Sequence, residues 1–238
     1  MNTELAGIII SFILTVILAY PLGKYISKVY GAEKSLLDFI NPIERFIFRI
    51  CGIDPHKEMN WKEFLKAMLT INMLWLVYAF FMFLYQAYLP VNPDGNPNMS
   101  PDLSYNTAIS FLVNCNLQDY SGESGVTYLT QLFVITFLQF VSAATGIACL
   151  VALFNGLKAK TTNNLGNFWN IFTKTITRIL LPISIVIAIL LAFNGTPASF
   201  DGKDTITTLQ GDTSQVSRGP AAGMIAIKHL GTNGGGWF

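Results

Sequence analysis

Charge is scarce in this chain, and its scarcity excludes several classes of protein. Of the 238 residues, 12% are charged and 52% are hydrophobic, and the formal net charge is +1. A protein that binds nucleic acid needs a basic face, which this balance does not supply, so we expect no nucleic-acid partner. The composition is instead typical of a membrane protein.

Cysteines and nucleotide-binding motifs are also sparse. The three cysteines, Cys51, Cys115 and Cys149, lie far apart in different settings, so neither a disulfide framework nor a zinc site is indicated. The chain has no DKTG phosphorylation motif, and its glycine-rich GTNGGG segment lacks the lysine of a phosphate-binding loop. We therefore expect no nucleotide site and no catalytic residue in this chain.

Four apolar runs are long enough to compare with the ~20 residues that span a bilayer. They are Leu5 to Leu22, Ala67 to Leu89, Val126 to Leu157 and Ile176 to Phe193. The first could instead be a secretory signal, but a signal carries its positive charge before the apolar stretch. Here Glu4 precedes the run and Lys24 follows it. The sequence therefore predicts four spanning helices.

The distribution of basic residues predicts the orientation of these helices. Eight of the 15 basic residues lie in residues 23–66 and four in residues 158–178, whereas residues 86–125 contain none. Loops rich in Lys and Arg stay on the cytoplasmic side. We therefore place the first two segments inside, and residues 86–125, the tail after residue 194 and the N-terminus outside.

Residues 35–59, on the predicted inner side, are more than a linker. Apolar residues recur there at helical spacings, with Arg45 and Arg49 between them. The pattern favours either an amphipathic helix at the lipid interface or a packed cytoplasmic helix, and it does not separate the two. Asn60 then precedes Trp61, whose indole suits the interface where the second spanning helix begins.

The segment between the second and third runs is too short to cross the bilayer twice. Four prolines at 90–101 stop the helix, after which TAISFLV (107–113) leads into the polar NCNLQDYSGESG (114–125). An apolar segment of about 9 to 12 residues between two spanning helices indicates a re-entrant loop. Irregular backbone at membrane depth is tolerated where it lines a water-filled cavity, so the polar stretch is predicted to face a pore.

The tail repeats this order of elements. Gly219 and Pro220 precede AAGMIAIKHL (221–230), a short and mostly apolar helix that runs into GTNGGG (231–236). Asn116 and Asn233 are 117 residues apart. We interpret this spacing as an internal repeat of helix, re-entrant loop and helix.

Both polar loops have the composition of a potassium filter. Such filters are rings of backbone carbonyls that replace the hydration shell of the ion, and Gly and Asn allow the positive φ angles that this backbone needs. An ordinary turn before a membrane helix has the same composition and remains an alternative. Asp119 and Glu123 follow the first loop, where they either concentrate cations or belong to a solvated loop.

Several stretches resemble signatures of KdpA, the potassium-binding subunit family of Kdp-type ATPases. The two most specific are NTAISFLVNCNLQDYSGESG (106–125) and GPAAGMIAIKHLGTNGGGWF (219–238). A third signature is KEMNWKEFL (57–65). IERFIFRICGID (43–54) and SAATGIA (142–148) are similar to further family segments. The likeness runs nearly from end to end.

The resemblance implies an all-α membrane protein of transmembrane helices and re-entrant pore loops, with a fold like that of TrkH and KtrB potassium channels. In that fold four repeats of helix, pore loop and helix surround one pore. We accordingly expect an N-terminal helix with a cytoplasmic interfacial segment at 1–63. A first repeat then occupies 64–160, and the start of a second repeat, ending in its filter loop, occupies 161–238.

The resemblance also implies a function, a ligand and partners. It implies a non-catalytic, channel-like subunit of an ATP-driven potassium uptake pump in the prokaryotic inner membrane. Its implied partners are a B-type P-type ATPase catalytic subunit and the small C-type and F-type subunits. The residues that match the family's potassium-binding loops are Asn114, Cys115, Asn116, Gln118, Thr232, Asn233 and Gly234.

Two features depart from the family pattern. The commonest form of the first filter is NTNWQ, whereas here Cys115 replaces Thr and Leu117 replaces Trp. Family members are also roughly twice as long and have four filter loops, so we expect a fragment or truncated product with one complete repeat. The alternative functions are a passive potassium channel, an ion-coupled symporter subunit, and a truncated chain that transports nothing.

Overall fold

The computed structural model describes residues 3–31, 34–159, 164–233 and 237, and the chain is mostly helical. A hairpin of β1 (Asp204–Thr207) and β2 (Thr213–Val216) separates the last two main helices. The main helices are α1 (Thr3–Tyr30), α2 (Asn41–Ile50), α3 (Trp61–Leu84), α4 (Pro101–Leu112), α5 (Tyr128–Lys158), α6 (Phe168–Phe193) and α7 (Ala221–Leu230).

Four of these helices, α1, α3, α5 and α6, are long and apolar enough to cross a membrane, which confirms the predicted multi-pass membrane protein. The start of α3 at Trp61 is set by a capping box on Asn60. The Asn60 Oδ1 accepts hydrogen bonds from the backbone N–H groups of Lys62 and Glu63 at 2.9 and 3.1 Å, and Glu63 Oε2 accepts the Asn60 N–H at 3.1 Å.

The chain divides into two compact units, residues 1–53 and 54–238. The first unit contains α1, with Pro21 inside it, and the amphipathic α2. In α2 the side chain of Phe48 is buried while Phe46 and Ile50 are exposed. The helix predicted for this segment is confirmed, while its proposed place at the lipid interface stays a prediction.

One hydrophobic core organises the second unit. Phe83 of α3, Phe111 of α4, Leu138 of α5 and Met224 of α7 are fully buried in the same cluster. The two short helices therefore share one long neighbour, since α4 packs on α3 and α5, and α7 packs on α6 and α5. Their ends are brought into one region of the molecule by this shared core.

Neither short helix can span a bilayer. At 12 and 10 residues, α4 and α7 are about 18 and 15 Å long, against a hydrocarbon core of about 30 Å. The helix α4 begins at Pro101, six residues before the predicted TAISFLV segment, because proline fits the first turn and Ser100 before it is extended. The bounds of α7 coincide with the predicted AAGMIAIKHL.

Gln86, directly after α3, anchors the segments around the first loop. Its side chain is fully buried, and its Nε2 donates to the carbonyls of Pro97 and Gly125, both at 2.7 Å. Its Oε1 accepts the Thr127 N–H at 3.2 Å and the Thr130 hydroxyl at 2.9 Å. One satisfied amide thus joins the end of α3, the approach to α4 and the start of α5.

Asp94 joins the loop before α4 to the segment that carries the hairpin. Its Oδ1 accepts the Lys203 N–H at 2.9 Å, and its Oδ2 lies 3.2 Å from the Tyr128 hydroxyl. The hairpin itself was not predicted, although alternating TIT is a strand pattern. Every residue of β1 and β2 is exposed, so the hairpin adds little to the core.

Candidate ion-binding site

The first polar loop begins where α4 ends in a Schellman motif. Asn114 adopts a left-handed backbone with φ of 61°. The Cys115 N–H donates to the Ser110 carbonyl at 2.9 Å, and the Asn114 N–H donates to the Phe111 carbonyl at 3.4 Å. Asn116 also has a positive φ, of 54°. The positive φ angles expected of asparagine in this loop are therefore confirmed.

The second polar loop begins with the same motif at the end of α7. Thr232 has a φ of 59°. The Asn233 N–H donates to the Lys228 carbonyl at 2.9 Å, and the Thr232 N–H donates to the His229 carbonyl at 3.4 Å. A β-branched residue in the left-handed region is strained by roughly 1–2 kcal/mol, so packing around the loop must hold it there.

The two motifs correspond at a spacing of 118 residues, which pairs Asn114 with Thr232. Cys115 then corresponds to Asn233. Residue types alone instead match Asn116 with Asn233, at 117 residues, because both are asparagines. The backbone hydrogen bonds match the two helix ends in a register one residue different, while the internal repeat stays a prediction.

Side chains connect the two loops directly. Asn114 Nδ2 donates to the Gly231 carbonyl at 3.3 Å and lies 3.2 Å from Thr232 Oγ1. Asn116 Nδ2 donates to Asn233 Oδ1 at 2.8 Å. The two loops are thus held side by side, although they are more than 110 residues apart in the sequence.

Burial separates the predicted site residues into two groups. Asn116 and Asn233 are only 5% and 7% exposed, and their amides bond to each other. Cys115 and Thr232 are exposed, and Gln118, half-buried, donates from Nε2 to the Tyr120 carbonyl at 3.2 Å. Gly234, the remaining predicted site residue, lies outside the described residues.

The backbone of the first loop has carbonyl groups available for an ion. In the described part of the chain, no hydrogen bond reaches the carbonyl oxygens of residues 114–116. The Nδ2 groups of Asn114 and Asn116 bond to the second loop, whereas Asn116 Oδ1 is buried without a hydrogen-bond partner among the described residues. These carbonyl oxygens, together with Asn116 Oδ1, are therefore the groups of this loop available to replace water around a cation.

A cavity of about 350 Å³ lies against the beginnings of both loops. Asn114 and Thr232 line it together with a face of small residues on α5. Gly231 also lines it, and a Cβ there would lie 2.5 Å from Asn233 Nδ2 and 3.2 Å from Ala143 Cβ. Glycine is required at 231 because the second loop packs this closely.

Ser142 of α5 contacts the site although the sequence analysis did not place it there. Its hydroxyl lies 3.1 Å from Asn114 Oδ1 and 3.5 Å from Asn233 Oδ1. Ser142 begins the SAATGIA segment, in which four of seven residues are Ala or Gly. That run of small residues was the available signal, because small side chains on a membrane helix mark close packing.

Of the nearby acidic residues, Asp119 follows the first loop, whereas Asp102 lies at the opposite end of α4. Asp119 Oδ2 accepts a hydrogen bond from Asn106 Nδ2 of α4 at 2.5 Å. At the start of α4, the Ser100 hydroxyl and the backbone N–H groups of the first turn lower the pKa of Asp102. Asp102 is therefore ionised at neutral pH, while the proposed role of Asp119 and Glu123 in concentrating cations stays a prediction.

Comparison with known proteins places the whole chain beside one group of transporters. A family model described as KdpA, potassium-transporting ATPase A subunit, matches residues 9–238. Curated relatives named potassium-transporting ATPase potassium-binding subunit are 62% identical in Flavobacterium psychrophilum and 55% in Bacteroides thetaiotaomicron, each over 100% of this chain. The Alicyclobacillus acidocaldarius relative is 44% identical over 98% of it. The chain spans 42% of the length of each of these relatives.

Proposed function

The chain belongs to the KdpA family of potassium-transporting ATPase A subunits, and from this premise we propose that it forms two walls of a potassium-selective filter. The observation that carries the proposal is the joining of the two loops by the Asn114–Thr232 and Asn116–Asn233 hydrogen bonds. A filter needs several loops held around one axis at fixed spacing, and these contacts hold two.

The ion-binding groups in this proposal are backbone carbonyls. A potassium ion loses its water on entering and gains carbonyl oxygens in exchange. Both α4 and α7 end at the loops, so the partial negative charge at each helix C-terminus favours a cation there. Asn114, Cys115, Asn116, Gln118, Thr232, Asn233 and Gly234 contribute their backbone or support its shape.

The complete site requires further walls. The relatives are more than twice as long as this chain, and a filter ring needs carbonyls on all sides of the ion. We propose that other segments of the complete transporter provide the remaining loops. The cavity beside Asn114 and Thr232 then lies on the ion's route beyond the filter.

The proposed setting is an ATP-driven uptake pump in the prokaryotic inner membrane. The relatives' names denote the potassium-binding subunit of a potassium-transporting ATPase. We propose a B-type P-type ATPase catalytic subunit as the source of energy, with C-type and F-type small subunits. The basic residues at 23–66 and 158–178 support a cytoplasmic position for those segments, which places the N-terminus and both filter loops outside.

The test is potassium uptake at micromolar concentration by the complete transporter. Asn116→Asp removes the amide that donates to Asn233 and adds a charge, and Gln118→Arg places a cation beside the filter. We expect each to raise the KM for potassium at least tenfold, since the lost or repulsive contact is worth about 1.4 kcal/mol or more.

Asn194→Asp is the matched control, because Asn194 is exposed at the end of α6 and, among the described residues, its side chain bonds only to the Leu190 carbonyl of the last turn. It should leave the KM unchanged. An unaltered KM in both Asn116→Asp and Gln118→Arg, with normal amounts of assembled transporter, would show that these loops are not the filter.

A further inference from the structure

Ser142 lies on a spanning helix that belongs to neither loop, yet its hydroxyl is within reach of both. The distances are 3.1 Å to Asn114 Oδ1 in the first loop and 3.5 Å to Asn233 Oδ1 in the second. The side chain is 5% exposed and lines the cavity beside Asn114 and Thr232. Its position on α5 is set by the hydrophobic core and is independent of the loops' own hydrogen bonds.

The single proton of Ser142 has one favourable acceptor. A hydroxyl donates once, and its options are Asn114 Oδ1 at 3.1 Å, the Gln139 carbonyl of its own helix at 3.4 Å, and Asn233 Oδ1 at 3.5 Å. The first distance is closest to that of a normal O–H···O bond. Donation to Asn114 therefore predominates.

This bond supports the orientation of the Asn114 amide. With Oδ1 directed at Ser142, Nδ2 reaches the Gly231 carbonyl and Thr232 Oγ1. A reversed amide would place Oδ1 against the Gly231 carbonyl, which only accepts, whereas the hydroxyls of Thr232 and Ser142 can donate or accept. The Gly231 carbonyl thus selects the orientation of Asn114, and the Ser142 hydroxyl holds Oδ1 in place.

We propose that Ser142 is a positioning residue that sets the spacing between the two filter loops and thereby the discrimination among monovalent cations. The inference rests on the proposed function of those loops. Potassium and its neighbours differ by fractions of an ångström in radius, so a filter that has lost one of its cross-links adapts to the wrong ion more readily. Ser142 itself does not touch the ion.

The test measures KM, kcat and the preference for potassium over rubidium and sodium in the complete transporter, with the amount of assembled complex as a reference. For Ser142→Ala we expect the KM for potassium to rise about tenfold, because the half-buried Asn114 Oδ1 loses its donor. Discrimination should weaken, and kcat and the assembled amount should stay the same. Ser142→Thr keeps the hydroxyl and should stay within about twofold of the parent.

Ser184→Ala is the matched control. Ser184 is also a buried serine in a spanning helix, 4% exposed, and its hydroxyl has no hydrogen-bond partner in the part of the chain that the structure describes. Its loss should change neither KM nor ion preference. A fall in kcat alone after Ser142→Ala would contradict the proposal, because it would indicate a role in the motion of α5.

Comparing Ser142→Ala with Asn116→Asp distinguishes a failure of the Ser142 proposal from a failure of the filter assignment. If Ser142→Ala leaves KM and ion preference unchanged while Asn116→Asp alters them, the filter assignment holds and the role of Ser142 is refuted. If neither variant changes them, the filter assignment fails. Should Ser142→Ala not assemble, Ser142→Cys replaces it, since a thiol of similar size is a weaker donor. A KM equal to the parent's in that variant would overturn the inference.

Discussion

In the first loop the left-handed position after the short helix is occupied by Asn114, whereas in the second it is occupied by Thr232. Asparagine adopts this conformation readily and uses its amide to bind the other loop. Threonine is strained there, and its hydroxyl is the group that Asn114 approaches. The same left-handed helix end is thus formed by asparagine, which readily adopts the conformation, in the first loop. In the second it is formed by threonine, which its surroundings hold in that conformation.

The surroundings of the two loops differ accordingly. The first loop is supported by polar contacts, such as the Ser110 hydroxyl donating to the Leu117 carbonyl at 3.3 Å. The second is bounded by Trp237, which is 1% exposed and lies 5.5 Å from the Tyr128 ring, centroid to centroid. The first helix end is therefore supported by polar contacts, whereas aromatic packing lies beside the second.

The largest loss of stability is expected when a side chain is added at Gly219, where the aromatic rings leave no room for it. A Cβ on Gly219 would lie 2.1 Å from Trp237 Cζ2 and 2.6 Å from Tyr128 Cε1. We expect Gly219→Ala to lower the free energy of unfolding by about 3 kcal/mol or more, because two rigid rings must move. Thermal unfolding of the purified complete transporter measures it.

Pro101 supplies the control for this prediction, since it is the first residue of α4, lies 118 residues before Gly219 and is exposed. Pro101→Ala should change stability by less than about 1 kcal/mol. Equal losses for the two variants would mean that the second loop is not supported by aromatic packing in the way the structure indicates.

Replacing each left-handed residue by glycine should give unequal results. Asn114→Gly keeps the backbone conformation but loses the contacts with Gly231, Thr232 and Ser142, so we expect a loss of about 2 kcal/mol and a raised KM for potassium. Thr232→Gly loses one contact but relieves strain, and its stability should stay within about 1 kcal/mol of the parent. Both values come from unfolding in detergent with and without potassium. A larger loss for Thr232→Gly would reverse the comparison.

The smallest effect is expected from a substitution of Cys115, whose counterpart in the second loop is Asn233. Cys115 is exposed, whereas Asn233 is 7% exposed and bonded to Asn116. We expect Cys115→Thr to change the KM for potassium by less than about twofold, since the Cys115 thiol is exposed and makes no hydrogen bond among the described residues. The same variant should abolish labelling of this position by a membrane-impermeant maleimide added outside intact cells.

Cys51 provides the reference for that labelling, because it is also exposed and follows α2 in the segment proposed to be cytoplasmic. It should react only after the membrane is made permeable. Labelling of Cys51 in intact cells would overturn the proposed orientation without affecting the assignment of the loops.

Several elements could be predicted from the sequence because their signals are local. The apolar runs gave the four long helices, and Asn60 before Trp61 indicated the start of α3, where the capping box is found. The bounds of α7 were correct because Gly219 and Pro220 precede it and Gly231 follows it. The start of α4 was placed too late, because Pro101 was counted with the prolines of the loop although proline also favours a first helical turn.

The hairpin and the repeat register were missed for a different reason. Residue types alone favoured pairing Asn116 with Asn233, whereas hydrogen bonding at the helix ends pairs Asn114 with Thr232. Threonine carries no sequence signal for a positive φ, since its conformation is imposed by packing. The strain at Thr232 was therefore beyond prediction from the chain itself.

Hydropathy, charge and short motifs determined that this chain is a multi-pass membrane protein of the KdpA family with two re-entrant loops, because each of these properties is a sum over neighbouring residues. Only the tertiary structure decided how the loops meet, that Ser142 lies between them, and that Gly219 leaves room for Trp237. Those contacts join residues that are tens to more than a hundred positions apart. Their geometry follows from the packing of α4, α5 and α7 on one core, which no local pattern encodes.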